Sequence, residues 1–169
     1  MKLIPEWHEH QYCLIAWPCN KDLYGKIINK ARDEVANVIN EIAKTEHVIV
    51  FSNKEDINEI QNKTDHKNID IIECKLDDSW MRDIAPIFYN EDEKLKSISF
   101  EFNGYGKYPD YLNDNKISKF ISNYLNIPTK ISDLVIEGGA ITYDDKKNLF
   151  STKNVIFNKN RKQKHNSEY

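Results

Sequence analysis

Asp77-Asp78-Ser79-Trp80-Met81-Arg82-Asp83-Ile84-Ala85-Pro86 sets three acids, an arginine and a tryptophan between two apolar runs. Upstream, Ile69-Asp70-Ile71-Ile72-Glu73-Cys74 has the β-branched character of a strand, and a second run follows from Ile84 to Tyr89. The acidic block therefore reads as a strand end and turn, where the chain dives back into a core. Loops held by strands are where binding and catalytic side chains concentrate. A plainer reading lets Asp77 and Asp78 cap a turn and pairs Arg82 with a neighbouring acid.

Working outward, Tyr12 to Trp17 reads as a buried strand ended by Pro18. From Asp22 to Lys44, apolar residues recur at Leu23, Ile27, Ala31, Val35, Val38 and Ile42, steps of three and four that predict one apolar stripe along a helix. Asn20 is placed to cap it, and Asp22 puts negative charge near the positive end of the dipole. His47 to Phe51 predicts a strand, and Ser52-Asn53-Lys54-Glu55 has capping-box spacing ahead of a shorter helix through Ile57 and Ile60. Past the acidic block, Ile84 to Tyr89 and Ser97 to Phe102 predict a hairpin around a polar loop, Asn90 to Lys94.

Asn103 to Tyr111 is an irregular aromatic loop with two glycines and a proline. Ile117, Phe120, Ile121 and Tyr124 then repeat at helical spacing up to Pro128. Leu134-Val135-Ile136 enters Glu137-Gly138-Gly139 as a strand whose end needs glycine, for positive φ or for close backbone approach. Ile141 to Tyr143 and Leu149 to Thr152 predict a last hairpin, and from Asn158 to Tyr169 nothing apolar recurs, which predicts a frayed basic tail. Strand and helix signals alternate, and periodicity alone gives a mixed α/β domain.

A chain of 169 residues, 40% hydrophobic and 30% charged, is long enough for one soluble domain with a sizeable core. A net charge of −3 offers no basic surface for nucleic acid, so none is expected as a partner. No run of 18 apolar residues predicts a membrane span, and Met1 to Glu6 does not read as a signal peptide. A cytoplasmic location is expected. Cys13, Cys19 and Cys74 form no C-x-x-C pair, so neither a disulfide framework nor a zinc site is suggested. Cys19 alone has loop-like neighbours, yet no histidine follows nearby in a helpful context for a nucleophile.

The block Asp77 to Pro86, with Glu137-Gly138-Gly139 about fifty residues later and Pro5-Glu6-Trp7 and Ala16-Trp17-Pro18 earlier, resembles the agmatine deiminases and their relatives, the bacterial-type peptidylarginine deiminases. The resemblance runs from about Glu6 to about Arg161 and implies about half of a five-bladed, pentein-type α/β propeller of ββαβ blades. It divides the chain into an incomplete propeller domain, 1–157, and a tail, 158–169. It also implies a hydrolase of putrescine biosynthesis that converts agmatine and water to N-carbamoylputrescine and ammonia without metal or organic cofactor.

In such a site Asp83 and Glu137 grip the substrate guanidinium and the Trp80 ring lines the pocket. A planar, permanently charged guanidinium wants carboxylates placed for bidentate acceptance, and an aromatic face attracts a cation. The plainer alternative for Trp80 is core packing. Arg82, which would point to the opposite strand face from Asp83, is assigned to structure. In the resembled family a cysteine nucleophile and a histidine in a Gly-His-x-Asp block lie beyond the matched stretch, so the chain alone is expected to be inactive, truncated before both. A peptidylarginine substrate and a non-catalytic guanidinium-binding or interaction module remain alternatives. Uncovered propeller edges lead to an expectation of marginal stability and self-association.

Overall fold

The computed structural model describes residues 2–5, 7–65, 67–144 and 146–161. In chain order its first elements are β1 (Lys2–Leu3), β2 (Cys13–Ala16), α1 (Lys21–Tyr24), α2 (Ile28–Ile42), β3 (Val48–Ser52), α3 (Ile57–Lys63), β4 (Ile69–Glu73) and α4 (Met81–Ile84). Then come β5 (Ile87–Glu91), β6 (Lys94–Glu101), α5 (Asp114–Tyr124), β7 (Thr129–Val135), β8 (Thr142–Tyr143), β9 (Leu149–Phe150) and α6 (Lys153–Ile156). The chain divides into two compact units, Glu9–Met81 and Met1–His8 with Arg82–Tyr169.

In the unit Glu9–Met81, β2, β3 and β4 form a parallel sheet with β3 in the middle. Every residue of β3 is buried, as its unbroken run Val48-Ile49-Val50-Phe51 requires of a strand covered on both faces. Trp17, Ala36, Ile39, Ala43, Val48, Val50 and Ile60 make its core. Fully burying Ile39 or Ile60 contributes about 1.5–3 kcal/mol each. Arg32 is buried between helices: its Nε donates to the Pro18 carbonyl at 2.9 Å, its Nη2 to Asp56 at 2.8 Å and its Nη1 to Glu59 at 2.5 Å.

The predicted apolar stripe holds in part. Val35 and Ile42 pack against the core, whereas Leu23, Ile27 and Val38 are exposed, and Arg32, Ala36, Ile39 and Ala43 also face inward. Gly25, at φ 51° and ψ −129°, breaks the expected single helix, so residues before and after it share no face. Asn20 caps as expected, its Oδ1 accepting the Leu23 amide at 3.0 Å. The capping box does not form. Ser52 stays in β3 opposite Glu73, and the Asn53 side chain bridges the Leu76 backbone, accepting its N–H at 3.0 Å and donating to its carbonyl at 3.2 Å.

The other unit holds a sheet of order β1-β5-β6-β7, antiparallel except for the β6–β7 pair. The hairpin turn is tighter than predicted, because Asn90 and Glu91 continue the ladder opposite Leu95 and Lys94. Only Asp92 and Glu93 turn, at φ 52° and 60°, as a two-residue type I′ loop demands. Helix α5 buries Ile117 and Ile121, and the Ser97 hydroxyl joins the Ser122 and Thr129 hydroxyls at 2.9 and 2.8 Å. The acidic block ends in the helical turn α4 rather than a strand end, so the strand argument that set Arg82 opposite Asp83 does not apply. Residues 159–161, read from sequence as part of the tail, form a 3-10 turn with Arg161 buried; 162–169 lie outside the described residues.

Candidate functional site

Asp83 and Glu137 both lie in the unit that contains the four-stranded sheet. Asp83 sits in α4, just before the strand β5, and Glu137 follows β7 by one residue beyond Ile136. The turn Gly138–Ala140 after Glu137 brings the two stretches together, its Gly139 N–H donating to Asp83 Oδ1 at 3.0 Å. Of the two roles open to these glycines, close approach is the one realised. A Cβ on Gly138 would lie 2.4 Å from the Arg82 carbonyl oxygen, and one on Gly139 would lie 2.3 Å from Asp83 Oδ1.

Each carboxylate is already oriented by neighbours. Asp83 Oδ2 accepts the Tyr105 hydroxyl at 2.6 Å, a distance typical of a charge-assisted O–H···O⁻ bond. Asp83 is half-buried, and beyond it lies a small cleft lined by Ile84, Phe102, Asp114, Ser118 and Ile136. Glu137 is only 2% exposed. The Arg161 guanidinium covers it, Nη2 donating to Oε2 at 2.9 Å and Nε to Oε1 and Oε2 at 3.2 and 3.3 Å.

Trp80 belongs to the unit Glu9–Met81. Its ring is 49% exposed, which argues against core packing, and its indole N–H donates to Asp78 Oδ2 at 2.7 Å. Asp78 Oδ1 accepts the Ser79 amide at 2.8 Å, so this acid serves the turn as the plainer sequence reading had it. Of the cysteines, Cys13 has its thiol pushed above its ordinary value, by burial first and by the charge of Glu46 second. That direction is opposite to the one a thiolate nucleophile needs. Cys74 is buried, and the half-buried Cys19 thiol lies 3.7 Å from the Leu76 carbonyl. Among the described residues no cluster of three or more His, Cys, Asp or Glu side chains is placed to hold a metal ion.

Tyr105 and Arg161 were not singled out by the sequence. A Gly-Tyr-Gly triplet inside an aromatic loop is the signal for the first, since alternating glycines there ask for an unusual backbone. For Arg161 there is no local signal, because its acceptor stands 24 residues earlier.

The model of the family described as Porphyromonas-type peptidyl-arginine deiminase matches residues 2–169. The agmatine deiminase of Medicago truncatula is 30% identical over 171 residues, spanning 92% of this chain and 45% of its own length. That of Pseudomonas aeruginosa is 27% identical over 163 residues, spanning 92% of this chain and 44% of its own. The solved agmatine deiminase of Enterococcus faecalis superposes with a TM-score of 0.91 at 18% identity, covering 99% of this chain and 47% of that one. The α/β fold is therefore that of the solved structure over about half its length, a partial pentein-type propeller. The chain likewise spans about half the length of the curated relatives it matches.

Proposed function

The chain belongs to the Porphyromonas-type peptidyl-arginine deiminase family, and from this we propose that Asp83 and Glu137 form the carboxylate side of a guanidine-hydrolase site whose substrate is agmatine. The observation that supports it best is the Gly139 N–H bond to Asp83, which joins two motifs distant in sequence. One carboxylate, Asp83, is half-buried with its plane fixed by two donors, suited to fork-like acceptance from a guanidinium. Glu137, in the same unit, is 2% exposed and already holds a guanidinium, that of Arg161, so it grips a substrate only by exchanging that partner. Trp80 has a half-exposed ring whose face suits a cation.

The whole reaction joins agmatine and water to give N-carbamoylputrescine and ammonia. A cysteine thiolate adds to the guanidinium carbon, ammonia leaves, and water releases the product from sulfur while a histidine moves protons. Cys13, with its thiol raised, is unsuited to that step. We propose that these 169 residues hold the guanidinium without turning it over, in the cytoplasm, and that the exposed Leu149, Phe150 and Phe157 lead the chain to self-associate. A peptidyl-arginine substrate is the second reading, favoured by the description of the family itself.

Titration calorimetry with agmatine, with putrescine and with a peptide ending in arginine tests the reading, alongside an ammonia assay. Agmatine is expected to bind, putrescine not, and D83N to weaken agmatine binding about tenfold or more. No ammonia is expected. Equal affinity for putrescine would sink guanidinium recognition, tighter binding of the peptide would favour the second substrate, and ammonia release would refute binding without turnover.

A further inference from the structure

Gly104, Tyr105 and Gly106 are three consecutive residues in the left-handed region, at φ 62°, 61° and 67°. Glycine adopts it without steric penalty, but a tyrosine there is strained, and strain of this kind collects at sites where the surrounding structure over-determines a side chain's position. The turn is closed from both ends. Asn103 Oδ1 accepts the Gly106 amide at 2.9 Å, and the Gly104 carbonyl accepts the amides of Lys107 and Tyr108 at 2.9 Å each. The Tyr105 ring meets Phe102 edge-on at 5.2 Å between centroids and Tyr108 at 6.1 Å.

The same turn touches Asp83 directly and is linked to Glu137 only through the Asn160–Arg161 segment. Through Tyr105 it donates to Asp83. On its other side Gly106 lies so close to Asn160 that a Cβ would fall 2.7 Å from the Asn160 side chain and 2.8 Å from its backbone carbonyl. Asn103 Nδ2 donates to the Asn160 carbonyl at 3.2 Å, and the next residue, Arg161, is the one that covers Glu137.

We propose that Tyr105 is a positioning residue for Asp83, and that the left-handed turn Gly104–Gly106 is the common support that orients both acids. This rests on the reading that Asp83 receives a guanidinium. Packing alone would need neither the hydroxyl nor a left-handed backbone at a tyrosine. With Gly139 N–H on one oxygen and the tyrosine O–H on the other, the carboxylate plane cannot rotate about its χ2 angle without breaking a bond. The lone pairs left over then keep one direction, which is what a rigid, planar donor fork selects.

The test uses the full chain, wild type and Y105F, which keeps the ring and its packing. Two quantities are read: agmatine affinity, and the hydrogen-exchange protection of the Gly139 amide relative to core amides of α5. Y105F is expected to weaken agmatine binding about tenfold and to lower Gly139 protection several-fold, with α5 unchanged. If wild type binds no agmatine while Gly139 still responds, the guanidinium reading fails and the positioning of Asp83 stands. Unchanged Gly139 protection together with unchanged affinity would overturn the proposal. As a second variant, D83N in tyrosine-labelled protein is expected to move the Tyr105 ring resonances, and resonances that stay in place would overturn it independently of how Y105F folds.

Discussion

Arg161 and Glu137 form a pair whose side chains are 10% and 3% exposed. Their mutual attraction offsets the desolvation of both, so removing one partner leaves a charge buried without compensation. R161M is expected to lower unfolding free energy by about 3–5 kcal/mol in urea titrations. The double change E137L/R161M is expected to recover most of that loss, since an apolar pair of similar volume carries no such charge. A loss below about 1 kcal/mol for R161M would mean that water reaches Glu137 once the arginine is gone. Asp83 and Glu137 were legible as candidate acids through the two motif blocks that carry the resemblance. Their orienting partners were not, because a polar side chain's burial is decided by an acceptor far along the chain, and no periodicity records it.

The turn Gly138–Ala140 and the end of β7 act together as one element. At Gly138 the obstacle to a side chain is the Arg82 backbone oxygen, which cannot swing aside, whereas at Gly139 it is the movable carboxylate of Asp83. G138A is therefore expected to destabilise the fold by about 1–3 kcal/mol, measured by thermal or urea unfolding. Wild-type stability in G138A would show that α4 shifts freely. Elements in which local signals agree were readable: the buried run of β3, the Asn20 cap, the helix before Pro128. Errors arose where tertiary partners outweighed local pattern. Arg32, a polar residue off the predicted stripe, is buried on α2 because it finds Asp56, Glu59 and the Pro18 carbonyl, and the Ser52 box gave way to strand pairing and to Asn53 binding Leu76.

For the whole molecule, Leu149, Phe150 and Phe157 expose 53%, 59% and 54% of their surface in one unit. Apolar groups so placed favour association. Sedimentation at rising concentration is expected to show self-association that L149K/F150K reduces, and a wild-type chain that stays monomeric throughout would refute it. Alternating strand and helix signals were enough for an α/β class, and the two motif blocks for the family. The division into units was hidden, because Lys2–Leu3 pairs with Asn90 and Tyr89, a partnership no local window contains. That pairing also sets a schedule on the ribosome. The segment Glu9–Met81 is continuous, so its parallel sheet can close while the rest is still being translated. β1 emerges before β5 and must wait for it, its unpaired edge offered meanwhile to any chaperone or neighbouring nascent chain that meets it.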